Sequence, residues 1–156
     1  MLAKLQPGYL PQRLFDEVNR LHVSSTIVIV PLRRAQTGLE VLLIKRGFGP
    51  TDPVWPGHWH LPGTMLRPND KEGDYSDAFQ RILQGELKNT ATSGEQQFIL
   101  TAFTETKRGR EHTQLYWIEI VGEPAEGEFF PVDQLPSPII EHEKAYIQEA
   151  AKIASL

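Results

Sequence analysis

The chain has 156 residues, of which 40% are hydrophobic and 23% charged, and this composition is ordinary for one globular domain. Its net charge of −4 argues against a general nucleic-acid or membrane-surface binder, and the absence of cysteine excludes disulfides and thiolate metal sites. No stretch is apolar and long enough to span a bilayer, and residues 1–9 lack the apolar core of a secretory signal, so a cytoplasmic location is expected.

Local patterns predict helices and strands in irregular alternation. Helices follow from apolar residues three and four apart, and strands from short runs rich in β-branched residues. In chain order these patterns predict a helix over 11–21, strands over 23–31 and 39–45, a helix over 75–89, a strand pair over 98–104 and 113–121, a strand over 128–132 and a helix over 138–155. A basic loop, 107–110, joins the strand pair and is expected to be a solvated hairpin tip.

These elements favour a single domain over residues 1–156, of the mixed α/β or α+β class, with a sheet between helices. Residues 1–22 are expected to form an N-terminal helical extension, and residues 138–155 the C-terminal helix. In that last helix Glu141, Glu143 and Lys144 are expected on the outside.

The helix over 75–89 has one buried side. Its apolar residues fall at helical spacing: Ala78, Phe79, Ile82, Leu83 and Leu87. Glu86 leaves the helix at the edge of that face, where a carboxylate needs a cation. Gly85 costs roughly 1 kcal/mol relative to alanine in a helix interior, which suggests that something approaches the backbone closely at this point.

The segment around this helix resembles the signature of the Nudix hydrolases, G-x5-E-x7-R-E-U-x-E-E-x-G-U, in which U is a bulky aliphatic residue. Pro62-Gly63-Thr64 is similar to the family's Pro-Gly-Gly, and Asp70 stands where the first glutamate belongs. A three-residue insertion then precedes Arg81. The resemblance implies that Asp70 and Arg81 pair and hold the loop against the helix.

The helix part of the signature is degenerate. Ile82 and Gly85 replace two of the three glutamates that hold magnesium or activate water, and Glu86 is retained. Residues 79–87 are similar to one branch, the GDP-mannose mannosyl hydrolases, which have an apolar residue after the arginine and a small one before a single glutamate. Resemblance to the superfamily covers about residues 23–150 and implies an α/β/α sandwich with a mixed sheet.

The resemblance also implies a magnesium ion, with manganese as the alternative. Its expected ligands are the carbonyl of Gly63 and the carboxylates of Glu86 and Glu123. Glu123 is chosen because it lies six places before Phe129, which opens a segment similar to one that follows the last strand in this superfamily. The alternatives are that Glu123 is a solvated loop charge and that Glu86 forms a structural ion pair.

Catalytic groups beyond Glu86 are less well marked. Arg46 matches a substrate-contacting arginine of the mannosyl hydrolases, the alternative being a surface arginine. Pro124 stands where that branch has a histidine, so Glu126 is the expected base. Other candidates are His58, His60 and His112, although a surface or structural role is the simpler interpretation of each. The three tryptophans, Trp55, Trp59 and Trp117, could stack on a nucleobase, but packing is expected, with Trp59 in the core.

Two classes of function remain open. The first is a magnesium-dependent hydrolase of a nucleoside diphosphate linked to another group, such as a nucleotide sugar, in which water attacks the anomeric carbon. The second is a Nudix fold that has lost turnover and binds a nucleotide or a protein. A third, weaker hypothesis has attack at phosphorus with Glu72 or Asp74 as substitute ligands. The expected partner is a small nucleotide-linked molecule, and the resemblance suggests a homodimer.

Overall fold

The structure, a computed structural model, describes residues 10–49 and 52–156. Its elements in chain order are α1 (Gln12–Leu21), β1 (Val23–Ala35), β2 (Gly38–Lys45), β3 (Trp59–His60), β4 (Gly63–Met65), α2 (Ser76–Gly85), β5 (Ala91–Thr92), β6 (Gln97–Thr106), β7 (Gly109–Val121), β8 (Glu128–Pro131) and α3 (Glu143–Ala154). The extension expected over residues 1–22 is thus described from residue 10, and the prediction for 1–9 falls outside the described residues. None of the described helices is long and apolar enough to cross a membrane.

Strand β1 is the centre of the sheet. It runs parallel to β7, with Val23 opposite Arg110 and Leu32 opposite Glu119. Its other edge is shared by two antiparallel partners, β4 near the start of the strand and β2 near its end. Strand β6 pairs with β7 and β8 with β2, both antiparallel. The sheet is therefore mixed, as predicted.

Both faces of β1 are buried, which explains its nearly continuous run of aliphatic residues. Ile27 and Ile29 belong to a core cluster that includes the apolar residues of α2. Val30 and Leu32 point to the opposite face and belong to a second cluster that includes those of α3. Helices thus cover both faces of the sheet, and the predicted α/β/α sandwich is confirmed. Trp59 lies in the core as expected, with 8% of its surface exposed.

Helix α2 is shorter than the predicted helix over 75–89. It ends at Gly85, after which the N–H groups of Glu86 and Leu87 both donate to the carbonyl of Ile82, at 2.9 and 3.1 Å. The chain then turns through Asn89, whose φ is 64°. Glycine is a weak helix former, and the burial of Leu87 turns the chain back toward the core. Glu86 therefore sits at the helix end rather than within the helix.

The last helix also begins later than predicted. Residues 138–140 pair with β3 instead: the N–H of Trp59 donates to the Pro138 carbonyl at 2.9 Å, and the N–H of Ile140 donates to the Trp59 carbonyl at 3.1 Å. Residues 141 and 142 then form a turn that leads into α3. The edge of β3 supplies this segment with backbone hydrogen bonds that a helix would otherwise make.

A candidate active-site cavity

A cavity of about 490 Å³ lies on the face of the sheet that carries α1 and α3. Its walls come from α1, from the start of α3, from the β6–β7 turn and from the segment that joins β3 to β4. Its polar lining includes Asn19, Thr26, Arg46, His60, Glu86, Arg108, Glu111, Thr113, His142 and Glu143. This volume is within the usual range for a small-molecule site.

His60, Leu61 and Gly63 form one wall of the cavity. The Pro62 carbonyl accepts a hydrogen bond from Ile29 of β1 at 3.0 Å, so the N–H groups of Leu61 and Gly63 point away from that strand. Both N–H groups donate hydrogen bonds to carboxylates. The N–H of Leu61 donates to Glu143 Oε2 at 2.6 Å, and the N–H of Gly63 donates to Glu86 Oε2 at 3.0 Å. The free edge of this segment thus holds two acidic side chains in the cavity wall.

Glu86 is half-buried, and burial raises the pKa of its carboxyl to about 7. The Gly63 N–H and the positive charge of Arg46 act in the opposite direction and limit this increase in pKa. Glu126 is close enough for its charge to raise the pKa of Glu86 further, although Glu126 itself is exposed and does not line the cavity. Of the expected catalytic residues, the structure places Glu86 and Arg46 in the cavity and Glu126 near Glu86.

Glu143 was expected on the outside of its helix, and this prediction is wrong. Only 7% of the residue is exposed, and burial raises the pKa of its carboxyl to about 8. A sequence signal for this burial existed, because Glu143 is three and four residues before the buried Tyr146 and Ile147 and so falls on the apolar face of α3. The prediction of an exposed side chain had rested on the charge of Glu143.

Two arginines flank Trp55 at the cavity. The guanidinium carbon of Arg46 lies 5.7 Å from the Trp55 ring centroid, and that of Arg108 lies 4.9 Å from it. Arg46 forms an ion pair with the buried Asp52, and Arg108 forms a longer one with Glu111, at 3.4 Å. Trp55 itself is 5% exposed, which agrees with the packing role expected for it.

The basic loop over residues 107–110 was expected to be a solvated hairpin tip, but one of its side chains, that of Arg108, is largely buried. The turn between β6 and β7 consists of Lys107 and Arg108. Lys107 is exposed, but 77% of the Arg108 side chain is shielded, since its relative exposure is 23%. Arg108 turns inward because Trp55 and Glu111 offer an aromatic face and a negative charge. No local pattern in the sequence marks this long-range contact.

The three candidate histidines lie in different places. His60 lines the cavity, and burial together with the nearby Arg46 lowers its pKa to about 4, so the ring is neutral at neutral pH. His58 is bound through Nδ1 to the Pro56 carbonyl at 3.1 Å, and His112 is exposed on β7. Neither of these two lines the cavity. The two other histidines of the chain, His22 and His142, also line the cavity, and burial lowers the pKa of His142.

Of the three expected magnesium ligands, Gly63 and Glu86 meet at the cavity and Glu123 does not. Glu123 is 85% exposed and pairs with Arg33 at 3.2 Å, outside the cavity, while Glu86 accepts the N–H of Gly63. Within residues 10–49 and 52–156, no three acidic or histidine side chains are grouped so as to hold a metal ion. The described residues therefore do not fit a resident magnesium ion held by protein ligands alone.

Asp70 and Arg81 form an ion pair next to Met65, at the end of β4. Arg81 Nη2 donates to Asp70 Oδ2 at 2.9 Å and to the Met65 carbonyl at 3.0 Å, and its Nη1 also bonds the Asp70 carboxylate. The bond from Arg81 is the main cause that lowers the pKa of Asp70. The ion pair ties α2 to the strand β4 that contains Gly63.

In the inserted loop, residues 71–74, the carboxylate of Asp74 contacts residues of the loop itself and the start of α2. Asp74 accepts hydrogen bonds from the backbone and hydroxyl of Ser76, at 2.9 and 2.5 Å, and lies 3.5 Å from Lys71. Glu72 and Asp74 are both exposed, and neither lines the cavity. The loop thus offers no substitute metal ligand to Glu86.

Comparisons with known proteins agree with this architecture. The model of the NUDIX domain matches residues 23–150. Among solved structures, a MutT NUDIX hydrolase from Burkholderia pseudomallei shares 20% identity with a TM-score of 0.61, covering 82% of this chain and 98% of its own. The NUDIX domain of Shewanella oneidensis NrtR, complexed with ADP ribose, shares 18% identity with a TM-score of 0.61, covering 98% of this chain and 96% of its own.

A third similar structure, the C. elegans Ap4A hydrolase, shares 14% identity with a TM-score of 0.59 and covers 85% of this chain and 99% of its own. At these identities the structural likeness establishes the fold. Curated protein sequences give no match to the chain. The domain model spans well over half of the residues and starts at β1, immediately after α1. The chain therefore belongs to the NUDIX domain family.

Proposed function

We propose that this chain binds a nucleoside diphosphate linked to another group, such as a nucleotide sugar, and hydrolyses it in the cavity. The observation that carries the proposal is that two guanidinium groups, Arg46 and Arg108, line the same ligand-sized cavity as Glu86. Arginine is suited to phosphate because its planar fork of N–H groups matches the phosphate oxygens.

Both arginines keep donors available for a ligand. Among the described residues, the side-chain hydrogen bonds of Arg46 and Arg108 use only Nε of Arg46, toward Asp52, and Nη2 of Arg108, toward Glu111. The other N–H groups of each guanidinium have no such partner within that part of the chain. Since a guanidinium has five N–H donors, the pair supports binding of a diphosphate.

Glu86 is the proposed catalytic carboxyl. A group with a pKa of about 7 exchanges protons readily at neutral pH. In the mannosyl-hydrolase-like reaction, water attacks the anomeric carbon, the bond from that carbon to the diphosphate oxygen breaks, and Glu86 takes a proton from water, with Glu126 nearby as a second carboxylate. The arginines balance the charge of the departing nucleoside diphosphate.

NUDIX enzymes generally use divalent metals, and the expectation here was magnesium, or manganese in its place. Because the residues that the structure describes do not fit a resident ion, we assign no step of the reaction to one.

A second candidate, a binding module without turnover, is favoured by one observation. Ile82 stands at a signature glutamate position and is 1% exposed within the core cluster under α2, so this position cannot supply a carboxylate. A NUDIX domain that binds ADP ribose within a larger protein, that of S. oneidensis NrtR, has the same fold.

The experiment that separates the two candidates is incubation of the purified protein with GDP-mannose, ADP-ribose, a dinucleoside polyphosphate and nucleoside triphosphates. Each is tested with magnesium, with manganese and with chelator, and the products are separated by chromatography. Release of free sugar and nucleoside diphosphate supports the proposal, whereas nucleoside monophosphate indicates attack at phosphorus. No product from any compound, together with ligand-induced thermal stabilisation, supports the binding module.

A further inference from the structure

Glu143 occupies an unusual place for a carboxyl group. It begins α3, where the chain leaves the extended segment that pairs with β3, and its side chain reaches the cavity wall beside Tyr146 and His142. Oε2 is fixed by the Leu61 N–H at 2.6 Å. Among the described residues, Oε1 has no hydrogen-bond partner, so this oxygen is available to a molecule in the cavity.

The charged groups that face Glu143 do not neutralise it. Arg46, from the end of β2, and Arg108, from the β6–β7 turn, lower its pKa, while Glu111 of β7 raises it. Both arginines are paired with other carboxylates, Asp52 and Glu111. The two neighbouring histidines, His60 and His142, have lowered pKa values and add little positive charge at neutral pH.

Burial is the largest cause of the raised pKa of Glu143, at about 8, because the ionised form loses its hydration. With Oε2 accepting the Leu61 N–H, the proton of the neutral acid belongs on Oε1. An ionised carboxylate at this place would repel a phosphate, whereas a protonated one offers it an O–H donor.

We propose that Glu143 is a ligand-binding residue that acts as a neutral acid and donates an O–H···O hydrogen bond to an oxygen of the diphosphate held by Arg46 and Arg108. The inference rests on the proposed function, since it needs a diphosphate in the cavity. It holds equally for an enzyme and for a binding module. Its alternative is that Glu143 only satisfies the Leu61 N–H.

Calorimetric titration with ADP-ribose, from pH 6.5 to pH 9 and without metal, tests the proposal. The diphosphate of this probe keeps a constant charge over that range. A donor with a pKa of about 8 predicts that wild-type affinity falls about tenfold between pH 7 and pH 9. In Glu143→Gln the amide oxygen still accepts the Leu61 N–H and the amide N–H₂ still donates. Its affinity should therefore change less than twofold between pH 8 and pH 9, where Glu86 is already ionised.

Two further variants isolate the effect. Glu141→Gln removes an exposed carboxylate two residues away and should keep the wild-type pH dependence. Glu86→Gln removes the other cavity carboxyl with a raised pKa, and its affinity should still fall above pH 8. If Glu143→Gln retains the wild-type slope, or if the wild type has no slope above pH 8, the proposal is overturned.

If Glu143→Gln fails to fold, a measurement on the wild type still tests the proposal. Infrared difference spectra on adding ADP-ribose at pH 7 should show a shifted band from a protonated carboxyl, and a spectrum without such a band contradicts the proposal. If the wild type binds neither ADP-ribose nor GDP-mannose at any pH, the proposed function itself fails and this inference fails with it. Binding with an unaltered slope in Glu143→Gln overturns only the inference.

Discussion

Glu86 directly follows α2 and Glu143 begins α3, yet they accept hydrogen bonds from backbone N–H groups only two residues apart, those of Gly63 and Leu61. Along an extended chain such groups are about 7 Å apart and point the same way. The two carboxyls thus share one cavity wall, and burial raises the pKa of each. This arrangement puts two proton-exchanging groups beside the arginines that are proposed to hold a diphosphate.

Replacing Arg108 by alanine should weaken binding of ADP-ribose and GDP-mannose by about 10- to 100-fold, as expected for loss of a charge-assisted hydrogen bond. Lys107→Ala, in the same turn, is the matched control, because Lys107 is exposed and its loss should change affinity less than twofold. Equal affinities for the two variants in calorimetric titration would show that Arg108 does not contact the ligand.

Breaking the contact between Asp70 and Arg81 should destabilise the protein. Asp70→Asn removes the charge that faces a guanidinium only 22% exposed, so the free energy of unfolding in urea should fall by about 1–3 kcal/mol. Asp133→Asn, at an exposed position, serves as the control. An unchanged unfolding midpoint for Asp70→Asn would mean that the pair does not hold α2 to β4.

Part of this site follows from local sequence. Residues on one face of α2 repeat at helical spacing, so its burial was predictable from Ala78, Phe79 and Ile82. Glu86 could also be singled out, because it follows that stripe directly. The predicted end of the helix, residue 89, is four residues too late, because the observed end at Gly85 depends on how Leu87 packs in the core.

The other half of the cavity depends on long-range contacts. Arg108 turns inward in part because Trp55, 53 positions earlier in the sequence, lies opposite it. Asp52, a buried partner of Arg46, had no distinguishing pattern around it. For Glu143 the helical register pointed to burial and the charge to exposure, and the backbone N–H of Leu61 decided between them.

Gly109 should be required for the docking of α1. Its φ is 137°, and a Cβ at this position would lie 2.4 Å from the carbonyl oxygen of Asn19. Gly109→Ala should therefore loosen α1 and raise the rate of limited proteolysis within residues 12–21. Gly38→Ala is the matched control, with a φ of 133° and no atom within 4 Å of the added Cβ. Equal proteolysis of the two variants would attribute the effect to backbone strain rather than to contact with α1.

His60 should make stability depend on pH below neutrality. Its pKa is lowered to about 4 in the folded protein, whereas an unfolded histidine titrates near 6.5. Between these values the unfolded chain binds the extra proton, so stability is lost as pH falls, by at most about 1.4 kcal/mol per pH unit. Urea unfolding from pH 7 to pH 4.5 should show a smaller loss in His60→Gln, and an equal loss in both proteins would contradict this role of burial.

The most direct measurement is turnover of the compound that the wild type hydrolyses, compared between Glu86→Gln and Glu128→Gln. Glutamine keeps an oxygen that can accept the Gly63 N–H, so Glu86→Gln should melt within a few degrees of the wild type while its kcat falls about 10²- to 10⁴-fold. Glu128 is exposed, and Glu128→Gln should keep wild-type turnover. Full activity in a folded Glu86→Gln protein would contradict the proposal that this carboxyl performs the chemistry.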